Sequence, residues 1–122
     1  MIVVSDTTPL ISLLKINRLD LLEKLFKNIL IPQAGFNELT VDERFRLEAD
    51  QIKNSKFITV LPVNTPESVS LLRRATGLDQ GESEAIILMD ELKADVLLID
   101  EAKGRSVSIQ MGLSISGTIG VL

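Results

Sequence analysis

The sequence has no histidine, cysteine, tryptophan or tyrosine, and only four phenylalanines in 122 residues. Each absence closes a class of chemistry. Without cysteine there is no disulfide framework, zinc ribbon, thiol nucleophile or iron–sulfur cluster. Without histidine there is no imidazole base, no Ser-His-Asp triad and no His-ligated metal. Any bound metal must be held by carboxylates and other oxygens, which selects hard cations such as Mg²⁺ or Mn²⁺. Acid–base chemistry falls to Asp, Glu, Lys or metal-bound water. No apolar run is long enough to span a bilayer. The opening Met1-Ile2-Val3-Val4-Ser5-Asp6 carries no basic leader. The expectation is a cytoplasmic protein with no membrane partner, folded as one domain over residues 1–122 and burying roughly two thirds of its unfolded surface.

What is present is acid. Seventeen Asp and Glu face thirteen Lys and Arg, for a formal charge of −4. In bulk this argues against an ordinary basic nucleic-acid binder. The charge is uneven, however. Asp79, Glu82, Glu84, Asp90, Glu91, Asp95, Asp100 and Glu101 fall in one stretch with a single base, Lys93, so this stretch is −7 and the remainder +3. A solvated helix face is the plain explanation of such a run. The question is whether some of its acids converge.

The hydrophobic pattern alternates strand-like and helix-like segments. Ile2–Ser5, Ile29–Ile31, Phe57–Val63, Val96–Ile99 and Leu113–Ser116 read as short strands. Between them the spacing predicts helices. Thr7-Thr8-Pro9 opens the first, with a Thr as cap and Pro9 at the first helical position. Leu19–Phe26, Gln33–Leu39 and the polar Val41–Asn54 follow. Thr65-Pro66-Glu67 opens a helix that Gly77 ends. Asp79 starts a strongly apolar one, and Ala102–Met111 completes the set, with Gly117–Gly120 as a loop or helix start. Strands alternating with helices imply right-handed βαβ units and a parallel sheet covered on both faces. In such α/β folds function gathers beyond the carboxyl ends of the strands, which singles out Asp6 and Asp100.

Each acid also has an ordinary structural reading. Asp6 suits a helix N-cap. Glu82 stands three residues after Asp79, at capping-box spacing. Glu84 and Glu91 read as solvent-facing, Glu38 as a surface helix acid, and Glu101 as a first-turn residue complementing the helix dipole. Convergence would change this. Two like charges about 4 Å apart repel by roughly 4 kcal/mol at an effective dielectric of 20. Several ionised carboxylates in one cleft therefore need protons or a divalent cation.

Four segments together resemble the PIN domain, the nuclease fold of VapC-type toxins, and in particular a small prokaryotic PIN-like branch. They are Val4-Ser5-Asp6-Thr7-Thr8-Pro9-Leu10-Ile11, Ile31 to Leu39, Leu78-Asp79-Gln80-Gly81-Glu82-Ser83-Glu84-Ala85-Ile86, and Leu97 to Arg105. Gly112-Leu113 and Gly117-Thr118-Ile119-Gly120-Val121-Leu122 fit the same branch. The resemblance implies a three-layer α/β/α sandwich with a central parallel sheet of four to five strands. It implies that Asp6, Glu38, Glu82 and Asp100 hold one or two Mg²⁺ or Mn²⁺ ions, whose activated water hydrolyses an RNA phosphodiester. Thr7, Glu84, Glu101 and Thr118 would support that site, and Arg73, Arg74, Lys103 and Arg105 would steer the RNA backbone. Single-stranded loops are the expected target.

The implied setting is the toxin of a toxin–antitoxin pair, with an antitoxin protein as partner and a homodimer as assembly. Two departures stand out. Gly35 occupies a position usually apolar in the branch, and is expected to loosen the helix bearing Glu38. Members also usually continue past Leu122 with further helices, so an uncovered sheet face or edge would favour oligomerisation. Two rival readings remain: a catalytically inactive PIN-like protein-interaction module, and a receiver-type phosphoacceptor domain. The second lacks the paired acids after the first strand and the Lys after Leu113–Ser116.

Overall fold

A computed structural model describes residues 1–121; Leu122, the end of the C-terminal motif, lies outside them. Five strands form one parallel sheet: β1 Val3–Ser5, β2 Ile29–Pro32, β3 Ile58–Leu61, β4 Val96–Leu98 and β5 Ile115–Ser116. Their spatial order is β3-β2-β1-β4-β5. The sheet thus grows to one side of β1 through β2 and β3, and to the other through β4 and β5. A receiver-type domain, with strand order 2-1-3-4-5, is excluded by this topology.

The helices are α1 Thr7–Lys15, α2 Asp20–Leu25, α3 Gln33–Val41, α4 Arg46–Asn54, α5 Pro66–Thr76, α6 Gln80–Leu92, α7 Ala102–Gln110 and α8 Thr118–Val121. They cover both faces, giving the expected three layers. Successive strand residues point to opposite faces, and here both faces are apolar. Val3 and Leu98 enter one core with Leu10, Leu13, Leu22 and Ile52. Val4 and Leu97 enter the other with Ile86, Leu88 and Met89. This is why the strands read as unbroken apolar runs rather than alternating ones.

Local capping accounts for the differences from the sequence expectation. Asp6, not a Thr, is the N-cap of α1, so Pro9 falls at the third helical position. No hydrogen bond is lost, because the first-turn N–H groups lack intrahelical partners anyway. The polar helix expected over 41–54 is divided. Asp42 is extended, and its side chain accepts from the Arg44 N–H to start a short 3₁₀ turn, Glu43–Phe45, ahead of α4. Gly77, at φ 74°, closes α5 as expected.

Candidate functional site

β1 and β4 lie side by side, with Ser5 paired to Leu98. The chain leaves them in opposite directions across the sheet, which makes their carboxyl ends the crevice of the fold. Asp6 sits at its floor. Its N–H donates to the Leu98 carbonyl at 2.9 Å, and its Oδ1 accepts from the Thr7 N–H at 2.9 Å. It is both a helix cap and a buried acid, only 5 % exposed. Burial pushes its carboxyl up to about 7 against the opposing Thr7 hydrogen bond, and the charges of Asp79, Glu38 and Glu101 push the same way.

Glu38 reaches the crevice on α3. A Cβ on Gly81 of α6 would lie 3.5 Å from the Gly35 Cα, 3.6 Å from Glu38 Oε2 and 3.7 Å from Asp79 Oδ1. These are ordinary contact distances, and they put Glu38 and Asp79 on either side of one spot where α3 meets α6. A Cβ on Gly35 would stand 3.1 Å from the Thr7 methyl. The loosening expected at Gly35 is therefore not its effect here, because the glycine is what allows close packing. Glu38 is exposed, yet its carboxyl is raised by partial burial and by the charges of Asp79 and Glu84, with Arg73 opposing.

Glu82 makes only half of a capping box. The Asp79 side chain accepts from the Glu82 N–H at 2.7 Å, but the Glu82 carboxyl turns inward. It is 5 % exposed, and Oε2 is buried with no hydrogen-bond partner. The space it uses exists because residue 104 is glycine: a Cβ there would lie 2.9 Å from Oε2. Burial first, then the charges of Asp79, Glu101 and Asp6 and a hydrogen bond shared with Asp79, raise Glu82 to about 8.

Asp100 is engaged by Thr118. Its Oδ1 accepts from the Thr118 N–H at 2.7 Å and its Oδ2 from the Thr118 hydroxyl at 2.5 Å, so both oxygens anchor the start of α8. It is Glu101, exposed at the start of α7 and without a capping bond of its own, whose charge acts on Asp6 and Glu82. The charges of Asp6, Glu38, Glu82, Asp79 and Glu101 act on one another at this end of the sheet.

Glu84 is buried rather than solvent-facing. Its oxygens accept from the Ala34 N–H at 3.0 Å and from Gln80 at 2.9 Å, and Gln80 in turn accepts from Arg73. Pro32 precedes α3 and offers no side-chain acceptor, so Glu84 supplies the missing cap from α6 and holds the helix that bears Glu38. Glu91, also expected to face solvent, accepts from the N–H groups of Asn64 and Thr65 ahead of α5. Among the candidate steering bases, Arg73 and Arg74 line a groove with Gly77 and Leu78, and the Lys103 ammonium lies against Gly77. Arg105 instead donates to the Ile99 carbonyl.

Among the described residues no three acidic side chains are close enough together to hold a metal ion as they stand. The donors nevertheless suit one. They are all carboxylate oxygens, two belong to buried acids raised towards neutral pH, and one oxygen is orphaned. An all-carboxylate donor set is the kind that hard divalent cations take.

A family model for the PIN domain matches residues 2–122. No curated protein matches the chain significantly.

Proposed function

The chain belongs to the PIN-domain family, and from that premise we propose that it is a metal-dependent endoribonuclease, the toxin of a toxin–antitoxin pair. PIN domains are in general nucleases and typically use divalent metal ions. The observation that carries the reading for this chain is the orphaned Oε2 of Glu82, buried beside Asp6 at the carboxyl ends of β1 and β4. A carboxyl oxygen buried without a partner is costly, and a cation is the ligand that would relieve it.

Asp6, Glu38 and Glu82 would hold Mg²⁺ or Mn²⁺. Glu101 joins them in this reading, since its charge reaches both buried acids. Asp100, which the resemblance placed in the set, we assign to anchoring α8 through Thr118. When bound, the ion supplies charge neutralisation at a phosphate oxygen and a lowered water pKa. The chain's own residues do the rest. The Thr7 N–H fixes the orientation of Asp6. Glu84 holds α3, and with it Glu38. Arg73, Arg74 and Lys103 draw the phosphate backbone towards an otherwise negative crevice. An antitoxin partner and a homodimer complete the proposal.

An inactive interaction module is the second reading, favoured by the lack of three acids at metal-binding spacing among the described residues. A Mn²⁺ titration followed by thermal unfolding separates the two. The nuclease reading expects saturable stabilisation, about 2.7 kcal/mol at a hundredfold excess over Kd, and cleavage of a single-stranded RNA pool. Both should vanish in Asp6→Asn. No stabilisation at millimolar Mn²⁺, with the RNA intact, would leave the interaction module.

A further inference from the structure

A cleft of about 390 Å³ opens beside the acid crevice and shares Thr7 and Glu38 with it. One wall is α1, where Thr8, Ser12 and Lys15 follow at i, i+4 and i+7 on a single helix face. The other wall is Leu39 of α3 with Asp42 and Phe45 of the 3₁₀ turn. The volume falls in the range of small-ligand sites, about 300–1,000 Å³.

Its electrostatics differ from those of the crevice. The Asp42 carboxylate is already held by Arg44 through two hydrogen bonds, at 3.1 and 2.7 Å. That leaves Glu38 at the mouth and a cation at the far end. The Lys15 ammonium lies 5.7 Å from the centre of the Phe45 ring, and the Arg44 guanidinium 5.4 Å from it. Among the described residues no carboxylate is in salt-bridge contact with Lys15. A lysine in the last turn of a helix complements the helix dipole, but this one is also steered over an aromatic ring, at the end of a trough lined by hydroxyls.

We propose that this cleft is a subsite for the nucleotide next to the scissile phosphate of single-stranded RNA. Thr8 and Ser12 offer hydroxyls to the ribose. Ile11, Leu39 and the half-buried Phe45 receive the base, and Lys15 meets the following phosphate. The run from Thr8 to Lys15 spans about 10 Å along α1 at 1.5 Å per residue, room for one or two nucleotide units. A bound helix or strand of protein needs a run of apolar anchor pockets, whereas the apolar lining here is confined to these three residues. The subsite rests on the nuclease reading and adds to it a second point of RNA contact, separate from Arg73 and Arg74.

Binding of a labelled phosphorothioate single-stranded RNA pool to the full chain with Mn²⁺ tests it by fluorescence anisotropy. Lys15→Gln should weaken binding five- to tenfold at low salt. It should also reduce the slope of log K against log salt by about 0.7, the loss of one phosphate contact to a single strand. Phe45→Leu should weaken binding up to tenfold with the slope unchanged. Lys27→Gln, in the loop before β2 at the opposite end of the sheet, should behave as the parent, and thermal midpoints verify that each variant folds. A parent that binds RNA with Lys15→Gln equal to it in affinity and slope would overturn the subsite alone, and would leave the cleft to a protein partner. A parent that binds no RNA would overturn the nuclease reading and the subsite with it.

Discussion

A carboxyl group with a buried, unpartnered oxygen is stable only if it keeps its proton or finds a cation. Glu82 is in that position, and Asp6 shares its field. Around them the roles of Asp100 and Glu101 divide. Asp100 spends both oxygens on Thr118, so Asp100→Ala should lower stability by about 1 kcal/mol, the usual worth of an N-cap, and leave the Mn²⁺ response intact. Glu101→Gln should do the opposite. It removes a like charge from Asp6 and Glu82 and leaves stability unchanged or slightly higher, while Mn²⁺ affinity falls about tenfold, as for the loss of a ligand or its immediate support. Urea unfolding with and without Mn²⁺ reads both, and the reverse pattern would return Asp100 to the metal set. Strand-end position marked Asp6 and Asp100 in the sequence, and the PIN resemblance added Glu38 and Glu82. It took Asp100 as a site acid and Glu101 as its support; that Thr118 claims both Asp100 oxygens is a contact eighteen residues away, which local pattern does not carry.

At the scale of elements, α6 organises the site. It runs buried from Gly81 to Met89, starts on the Asp79 cap, turns Glu82 inward, and lends Glu84 to α3 and Glu91 to the loop before α5. Its apolar content made the helix legible in the sequence, and the burial of its apolar residues follows from that content. The burial of Glu84 did not follow. The acceptor that α3 lacks at Pro32 lies about fifty residues away in sequence, and local pattern carries no such long-range pairing. The same holds for Gly35, which reads as a weak helix residue until the Thr7 methyl is seen against it. Gly35→Val makes the test. In an isolated helix it would gain a few tenths of a kcal/mol in propensity. Here its Cβ meets the Thr7 methyl at 3.1 Å and the Pro32 ring at 3.6 Å, so overpacking should cost about 1–3 kcal/mol net. The measurement is the urea midpoint, and an unchanged midpoint would show that α3 can move off Thr7 without penalty.

For the whole molecule, the βαβ pattern was enough to announce a parallel sheet covered on both faces. Apolar strands and right-handed crossovers leave few alternatives. The order β3-β2-β1-β4-β5 then places the crevice beside Asp6. The acidic excess concentrated between Asp79 and Glu101 acquires a global consequence there. In the folded chain Asp6 is raised to about 7 and Glu82 to about 8, against ordinary values of 3.8 and 4.5. Native protein therefore binds more protons than unfolded protein between about pH 4 and pH 8, and its stability must fall as pH rises through that window. The contribution is complete below about pH 4 and lost above about pH 8. Without metal, the thermal midpoint should drop between pH 5.5 and pH 8.5 by at least about 4 °C, the equivalent of roughly 1 kcal/mol for a domain of this size. Saturating Mn²⁺ should flatten or reverse that slope, because the cation takes the place of the protons and competes best where they have already left. Asp6→Asn should flatten it without metal, since one of the two raised groups is gone. A metal-free midpoint that stays level from pH 5.5 to 8.5 would mean that Asp6 and Glu82 titrate as solvated acids, and the electrostatic case for a cation between them would fall with it.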